Sequence, residues 1–177
     1  MTDEPTETPS GKAIIAPISA TEPDWERERP VGGRWEPSKS LLKSVRDYQR
    51  AKAHGSRLAS KIAVLRHRFW SVVTGADVPL NCKIGGGLLM PHPNGVVIHP
   101  AAEIGPNCLI FQQVTIGDQH GGVPRLGGHV DVGAGAKLIG KISIGDHAKI
   151  GANAVVVIDV PPGATAIGVP ARIVGDD

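Results

Sequence analysis

Asp77 and His92 are the two side chains of this sequence best suited to acid–base chemistry. An imidazole can take a proton from an alcohol near neutral pH, because unperturbed rings titrate at about 6.5. A carboxylate beside it fixes the tautomer, favours the charged form and leaves the other ring nitrogen free as a general base. The two residues are distant in the chain, so some larger regularity has to bring them together.

That regularity is a repeat of six. Val132, Leu138, Ile144, Ile150 and Val156 form one unbroken ladder, Ile98, Ile104, Ile110 and Ile116 a second, and Val78, Ile84 and Met90 a third. A period of six fits neither a helix face nor a simple strand alternation, and such a fixed period is the mark of a repeat architecture. Each hexad supplies a short strand and a corner, and three strands complete one coil of a triangular prism. The expected fold is therefore mainly β, a parallel β-helix of hexapeptide repeats preceded by a short α-helical segment.

Assigning the aliphatic positions to faces in rotation gives three columns. The first holds Val72, Met90, Ile110, Val132 and Ile150, the second Val78, Ile98, Ile116, Leu138 and Val156, and the third Ile84, Ile104, Leu126 and Ile144. Asp77 and His92 then share one corner in successive coils, which lie about 4.8 Å apart like strands of any sheet. Two steps of the repeat carry extra residues, between Met90 and Ile98 and between Ile116 and Leu126. Insertions in a repeat array become loops, often at the working surface. The longer one, Gly117 to Arg125, falls on a different corner from His92. A threefold assembly of parallel prisms would bring the two corners together, so a homotrimer with sites between subunits is expected.

The rest of the chain divides by composition. Residues 1–37 are rich in Pro, Thr, Glu and Asp and read as a mobile arm. The alternative is an arm docked on a neighbouring subunit through Ile14, Ile15, Ile18 and Trp25. Residues 38–75 change to helical spacing, with Leu41, Leu42, Val45 and Tyr48 followed by Leu58, Ile62, Leu65 and Phe69. Ser38 or Ser40 is the expected cap, and Gly55 the expected break between two helices. This segment is basic, so it is either a solvated face or an attractor for anionic partners such as CoA phosphates, lipid headgroups or sugar pyrophosphates. Residues 76–177 form the prism.

Bulk composition narrows the choices. Aromatics are only 3% of the 177 residues, so the core must be aliphatic. A net charge of +2 is no argument for nucleic acid. Cys82 and Cys108 suggest buried thiols rather than a disulfide framework. No apolar run long enough for a membrane span or a secretory signal is present, and the reading is a cytoplasmic protein.

The prism sequence resembles the serine acetyltransferases, within the left-handed β-helix acyltransferases. The resemblance rests on Thr74-Gly-Ala-Asp-Val-Pro, Lys83-Ile-Gly-Gly-Gly-Leu, Gly95-Val-Val, Gln113-Val-Thr-Ile-Gly, Gly133-Ala-Gly-Ala-Lys, Ala148-Lys-Ile-Gly-Ala-Asn-Ala-Val-Val and the closing Asp159-to-Val174 run. It implies a left-handed coil, acetyl-CoA as co-substrate, no metal, and Asp77 with His92 as the catalytic pair. His92 would deprotonate an acceptor hydroxyl for direct attack on the thioester. By the same analogy the amides of Gly117 and Asp118 would face the oxyanion. The small residues Ala134 and Ala152 would line the pantetheine arm, and Lys149 and Arg172 would meet CoA phosphates.

The departures concern the acceptor. Pro91 stands where the family has an aspartate before the histidine, and Pro100 where it has a glutamate. Gly122 and Val123 replace the arginine–histidine pair that serves serine, and the loop is shorter. His120 and Arg125 are the remaining candidates for acceptor binding. The reading is thus an O-acetyltransferase whose acceptor is a sugar or polysaccharide-precursor hydroxyl, or serine itself. A metal lyase of the γ-carbonic anhydrase kind would need three matched histidines, and the spacing of His92, His99, His120 and His129 does not supply them. A non-catalytic scaffold prism would have no use for the aspartate–histidine pair.

Overall fold

Alternating inward aliphatics and corner residues wind the chain into a parallel β-helix. The computed structural model describes residues 18–175. Strands β1 (Lys83–Ile84), β3 (Glu103–Ile104), β6 (Arg125–Leu126) and β9 (Ser143–Ile144) make one face. Strands β2 (Val97–Ile98), β5 (Thr115–Gly117), β8 (Lys137–Ile139) and β11 (Val155–Val156) make the second. The third is β4 (Leu109–Ile110), β7 (Asp131–Val132), β10 (Lys149–Ile150) and β12 (Thr165–Gly168), closed by the antiparallel β13 (Ala171–Val174).

Register within each face follows the hexad columns. Ile98, Ile116, Leu138 and Val156 are mutual partners, as are Ile110, Val132 and Ile150, and Ile84, Ile104, Leu126 and Ile144. All are buried, and with Val78, Leu88 and Met90 they fill the prism. One expected member is elsewhere. Val72 does not found the first column; it lies in a helix and is 84% exposed. The helical pattern persists to Thr74, and Gly75, left-handed at φ 63°, ends it before the first coil can start.

The corners have their own logic. Call the turn leaving the β4 face corner one, that leaving the β2 face corner two, and that leaving the β1 face corner three. Corner one has a left-handed residue in every coil: Gly75, Gly95, Gln113, Gly135 and Asn153. Corner three does the same with Gly87, Asn107, His129, His147 and Gly163. Their amides bond the coil below, for example Gln113 N–H to Asn94 O at 2.9 Å and His147 N–H to Gly128 O at 2.9 Å. Corner two has no such column, and it is the corner that carries the Gly117–Arg125 insertion.

Helix α1 (Pro37–Ala53) lays Leu41, Leu42 and Val45 into the prism core. It starts at Pro37, whose fixed φ and missing N–H suit the first turn, so neither Ser38 nor Ser40 is its cap. Gly55, at φ 67°, separates it from helix α2 (Arg57–Thr74), which Ser56 caps through a 3.4 Å bond from the Ala59 amide. α2 buries Ala63 and His67 rather than its largest apolar residues. Leu58, Ile62, Leu65 and Phe69 point outward, all more than half exposed. The basic charge of the segment is partly internal, since Lys43, Arg50 and Arg66 converge on Asp47.

The mobile arm expected over residues 1–37 is corrected from Ser19 onward; Ile14 and Ile15 lie outside the described residues. Residues 19–30 form a strap against corner three of the same chain. The Asn107 amide donates to Ser19 O at 2.8 Å and Glu22 O at 2.7 Å, while its Oδ1 accepts from the Asp24 amide at 2.8 Å. Pro23 and Trp25 seat on Gly86, where any Cβ would lie 2.7–2.8 Å from them. Gly128 likewise has no room for a Cβ against the Ala20 carbonyl. Asn107→Gly keeps the left-handed backbone but removes all three bonds. Each buried group left without a partner costs about 1–3 kcal/mol. The variant should melt earlier and be cut by trypsin at Arg27 or Arg29 in the native state; an unchanged digest would mean that the glycine seats alone hold the strap.

Candidate active site

Corner one stacks Asp77, the Pro91–Gly95 turn with His92, Gln112, Ala134 and Ala152. The stacking is fixed by backbone bonds: Gly95 N–H to Gly75 O at 2.8 Å, Gly135 N–H to Gln112 O at 2.8 Å, and Asn153 N–H to Ala134 O at 2.8 Å. Asp77 is clamped opposite Val97 by its own amide to Val96 O at 2.8 Å and by Ile98 N–H to its carbonyl at 3.0 Å. Asp77 and His92 are both exposed at this edge. Among the described residues no hydrogen bond joins the carboxylate to the imidazole in the single chain. The backbone therefore places the two on one corner without a hydrogen bond between their side chains.

Corner one holds a residue the hexad reading passed over. Gln112 Oε1 is the buried side-chain atom without a hydrogen-bond partner among the described residues. A buried carbonyl oxygen of this kind calls for a donor from water or ligand. Its only sequence signal was its place in a polar corner pair, Gln112-Gln113, between Phe111 and the inward Val114. Lys137 is also fixed here, its ammonium donating to Gln113 O at 2.6 Å and Thr115 Oγ1 at 3.1 Å.

The insertion on corner two is a tight hairpin. Gln119 and Gly122 exchange both backbone bonds at 3.0 Å, and the central residues His120 and Gly121 are both left-handed, at φ 52° and 78°. That is the turn type whose twist matches paired strands. Asp118 Oδ2 accepts the Gly121 amide at 3.3 Å, and Gly117 O accepts from Gly140 N–H at 3.1 Å. Gly122 lies flat on the next coil, where a Cβ would come within 2.5 Å of Lys141 Cβ. No side chain could stand there without the loop moving. His120 is exposed at the tip.

Arg125 ends this loop as a strand residue. It opens β6 on the outer β1 face, beside Glu103 at 3.8 Å, while Lys83 holds the same carboxylate at 2.8 Å. The Lys83 hydrogen bond keeps the Glu103 carboxyl below its usual range. The hexad period explains the shift: Arg125 immediately precedes the inward Leu126 and belongs to the strand. Lys149 lies in β10 of the β4 face, leading into the corner that carries Ala152, and Arg172 lies on the terminal strand β13 of that face. The candidate residues thus divide between two corners of one prism, His92 with Ala134 and Ala152 on one, Gly117, Asp118 and His120 on the other.

His99, His120 and His129 do not converge with His92. His99 and His120 sit on corner two and His129 on corner three, and among the described residues no group of three potential ligands gathers. Cys82 and Cys108 are buried in the prism, and burial pushes both thiols up to about 11. No described helix is long and apolar enough to cross a membrane.

No family model matches the sequence. Curated proteins and solved structures do. A serine acetyltransferase of Mycobacterium tuberculosis is 42% identical over 125 residues, which is 68% of this chain and 53% of that protein. A serine acetyltransferase solved in complex with CoA superposes with a TM-score of 0.70 at 35% identity, covering 79% of this chain and 58% of that one. The soybean serine acetyltransferase complexed with serine gives 0.69 at 37% identity, covering 78% and 57%. The chain spans about half the length of the curated relatives it matches. With this identity carried on a common prism, the chain is similar in both sequence and fold to the serine acetyltransferases, proteins of the left-handed β-helix, hexapeptide-repeat type.

Proposed function

We propose that this chain is an acetyl-CoA-dependent O-acetyltransferase and that serine is its acceptor. The observation that carries the reading is the coincidence of Asp77 and His92 on one corner of a prism that matches serine acetyltransferases, including one solved with CoA and one with serine. His92 takes the proton of the acceptor hydroxyl as the oxygen attacks the thioester carbonyl. The tetrahedral intermediate collapses with loss of the CoA thiolate, which the imidazolium reprotonates. Asp77 rotates onto the ring and stabilises its charge. Preorganised amides worth about 3–4 kcal/mol to the transition state are assigned to Gly117 and Asp118. Ala134 and Ala152 leave the backbone of corner one open to the pantetheine arm, and Gln112 Oε1 offers an acceptor to one of its amides. Lys149 and Arg172 meet the phosphates.

The two corners do not meet in one chain, so we assign the site to the seam of a homotrimer, corner one of one copy facing the corner-two hairpin of the next. The outward apolar row Leu58, Ile62, Leu65 and Phe69 supports self-association of the helical base.

A second reading has its own support. Gly122 and Val123 give a zwitterion no charged partner, and the packing of Gly122 against Lys141 leaves no room for one. A pocket without charged partners binds a zwitterion poorly, because its ammonium and carboxylate lose water without compensation, whereas neutral hydroxyls cost far less. A sugar hydroxyl is the alternative acceptor. Release of CoA thiol by the full-length protein, with serine and with nucleotide-linked sugars in parallel, separates the two. Turnover with serine at least tenfold above the sugars sustains the proposal; turnover with sugars alone transfers the acceptor; turnover with neither, in a trimer that binds CoA, removes both.

A further inference from the structure

Lys137 stands beside corner one with no part in the transfer as drawn so far. It opens β8 on the β2 face, directly past that corner. The outward residues at this edge stack in register, Asp77 opposite Val97, Val97 opposite Thr115, and Thr115 opposite Lys137. The column that starts with the carboxylate of the proposed pair therefore reaches an ammonium three coils on. The two residues between them are uncharged.

The ammonium is held firmly and used incompletely. Its Nζ donates to Gln113 O at 2.6 Å and Thr115 Oγ1 at 3.1 Å. Both acceptors lie one coil nearer to Asp77, so the side chain leans along the column toward Asp77 and His92. A lysine has three N–H donors, and two of them are spent here on neutral oxygens. Lys137 is half-buried, and among the described residues no carboxylate pairs with it. A partly desolvated cation bound only to neutral oxygens is short of counter-charge.

We infer that Lys137 binds the carboxylate of a small hydroxy-acid acceptor whose hydroxyl lies at His92. The inference rests on serine as the proposed acceptor, and it supplies what the corner-two hairpin lacks. Gly122 and Val123 offer the acceptor no cation; Lys137 offers one from corner one. Coils are about 4.8 Å apart, so an ammonium at the level of Thr115 stands roughly 10 Å along the column from Asp77. His92, in the turn between the first two coils, occupies the Asp77 end of that interval. A carboxylate at the other end takes the third ammonium donor in a charge-assisted hydrogen bond. Asp77 repels the same carboxylate and draws the amino acid's ammonium. The two charges of the column thus orient the acceptor, with its hydroxyl toward the base and its carboxylate away from it.

The test measures CoA thiol release by the full-length protein with serine and with serinamide, which keeps the hydroxyl and the ammonium but not the carboxylate. The parent should prefer serine by about tenfold or more in kcat/KM. Lys137→Met should raise KM for serine by about tenfold or more and bring the two acceptors within about twofold of each other, with KM for acetyl-CoA near the parent's. Lys137→Arg keeps the charge and should keep most of the preference. Thermal melting establishes that each variant is folded. Where Lys137→Met is not, Lys137→Gln takes its place, because its amide still donates a hydrogen bond but carries no charge. A folded, uncharged variant whose KM for serine stays within about twofold of the parent's overturns the inference and leaves serine as the acceptor. So does a loss shared equally by serine and serinamide, or a rise in KM for acetyl-CoA alone, which would put the ammonium on CoA. A parent that turns over sugars and neither serine compound removes the serine reading itself, and the carboxylate site with it.

Discussion

His92→Asn lowers kcat for acetyl transfer by about 10²–10⁴-fold, the usual worth of a positioned general base. The Pro91–Gly95 turn is exposed and makes its backbone bonds without the imidazole, so the substitution should leave Tm unchanged. KM for acetyl-CoA should move little, because the ring addresses the acceptor proton and not the nucleotide. Asp77→Asn provides the companion test. It removes the charge that offsets the imidazolium while keeping the side chain's shape, so kcat falls and KM for acetyl-CoA stays near the parent's. A His92→Asn protein with kcat within about twofold of the parent would remove the base from the mechanism.

How far the sequence foretold this depends on which interaction governs each element. Burial of one aliphatic in six is a regular, local demand, and it set the three columns and their register residue by residue. Where a second demand competes, the reading strays. Val72 fits the period of six and also the helical period, and the helix continues to Thr74. Arg125 was read as loop because it ends the insertion, but the inward Leu126 draws it into a strand. The strap was illegible because its holdfasts are long-range and mostly backbone. Asn107 grips carbonyls more than eighty positions away, and glycines 86 and 128 act by lacking a side chain. Those glycines look like ordinary corner residues in the sequence. Asp77 and His92 were legible as neighbours on one corner, since that follows from the period. A hydrogen bond between them does not follow from the period, and the single chain shows none, because rotamers answer to surroundings that the period does not specify.

The strap's second anchor should show the largest effect on stability. Glu28 and Arg46 form a buried, two-pronged pair, Nε to Oε2 at 3.1 Å and Nη2 to Oε1 at 2.8 Å, with side chains only 8% and 12% exposed. Glu28 also accepts the Leu88 amide at 3.1 Å, and Arg46 donates to the carbonyls of Ile84 at 2.6 Å and Gly85 at 2.7 Å. One salt bridge thus ties the strap, α1 and the first coil. Glu28→Ala leaves a buried guanidinium without its counter-charge and an amide without an acceptor. Breaking such a pair from one side costs about 3–5 kcal/mol. At roughly 2–4 °C per kcal/mol for a chain of this size, Tm should fall on the order of 10 °C. Glu26→Ala is the control, since its pair with Arg29 is exposed, and Tm should stay within about one degree. Replacing both buried partners with apolar residues should not restore the parent's stability, as it would in an isolated ion pair. Arg46 also satisfies two backbone carbonyls, and no apolar side chain can. A Glu28→Met/Arg46→Met protein as stable as the parent would show that those carbonyls find water, and that the pair serves only to choose where the strap lies.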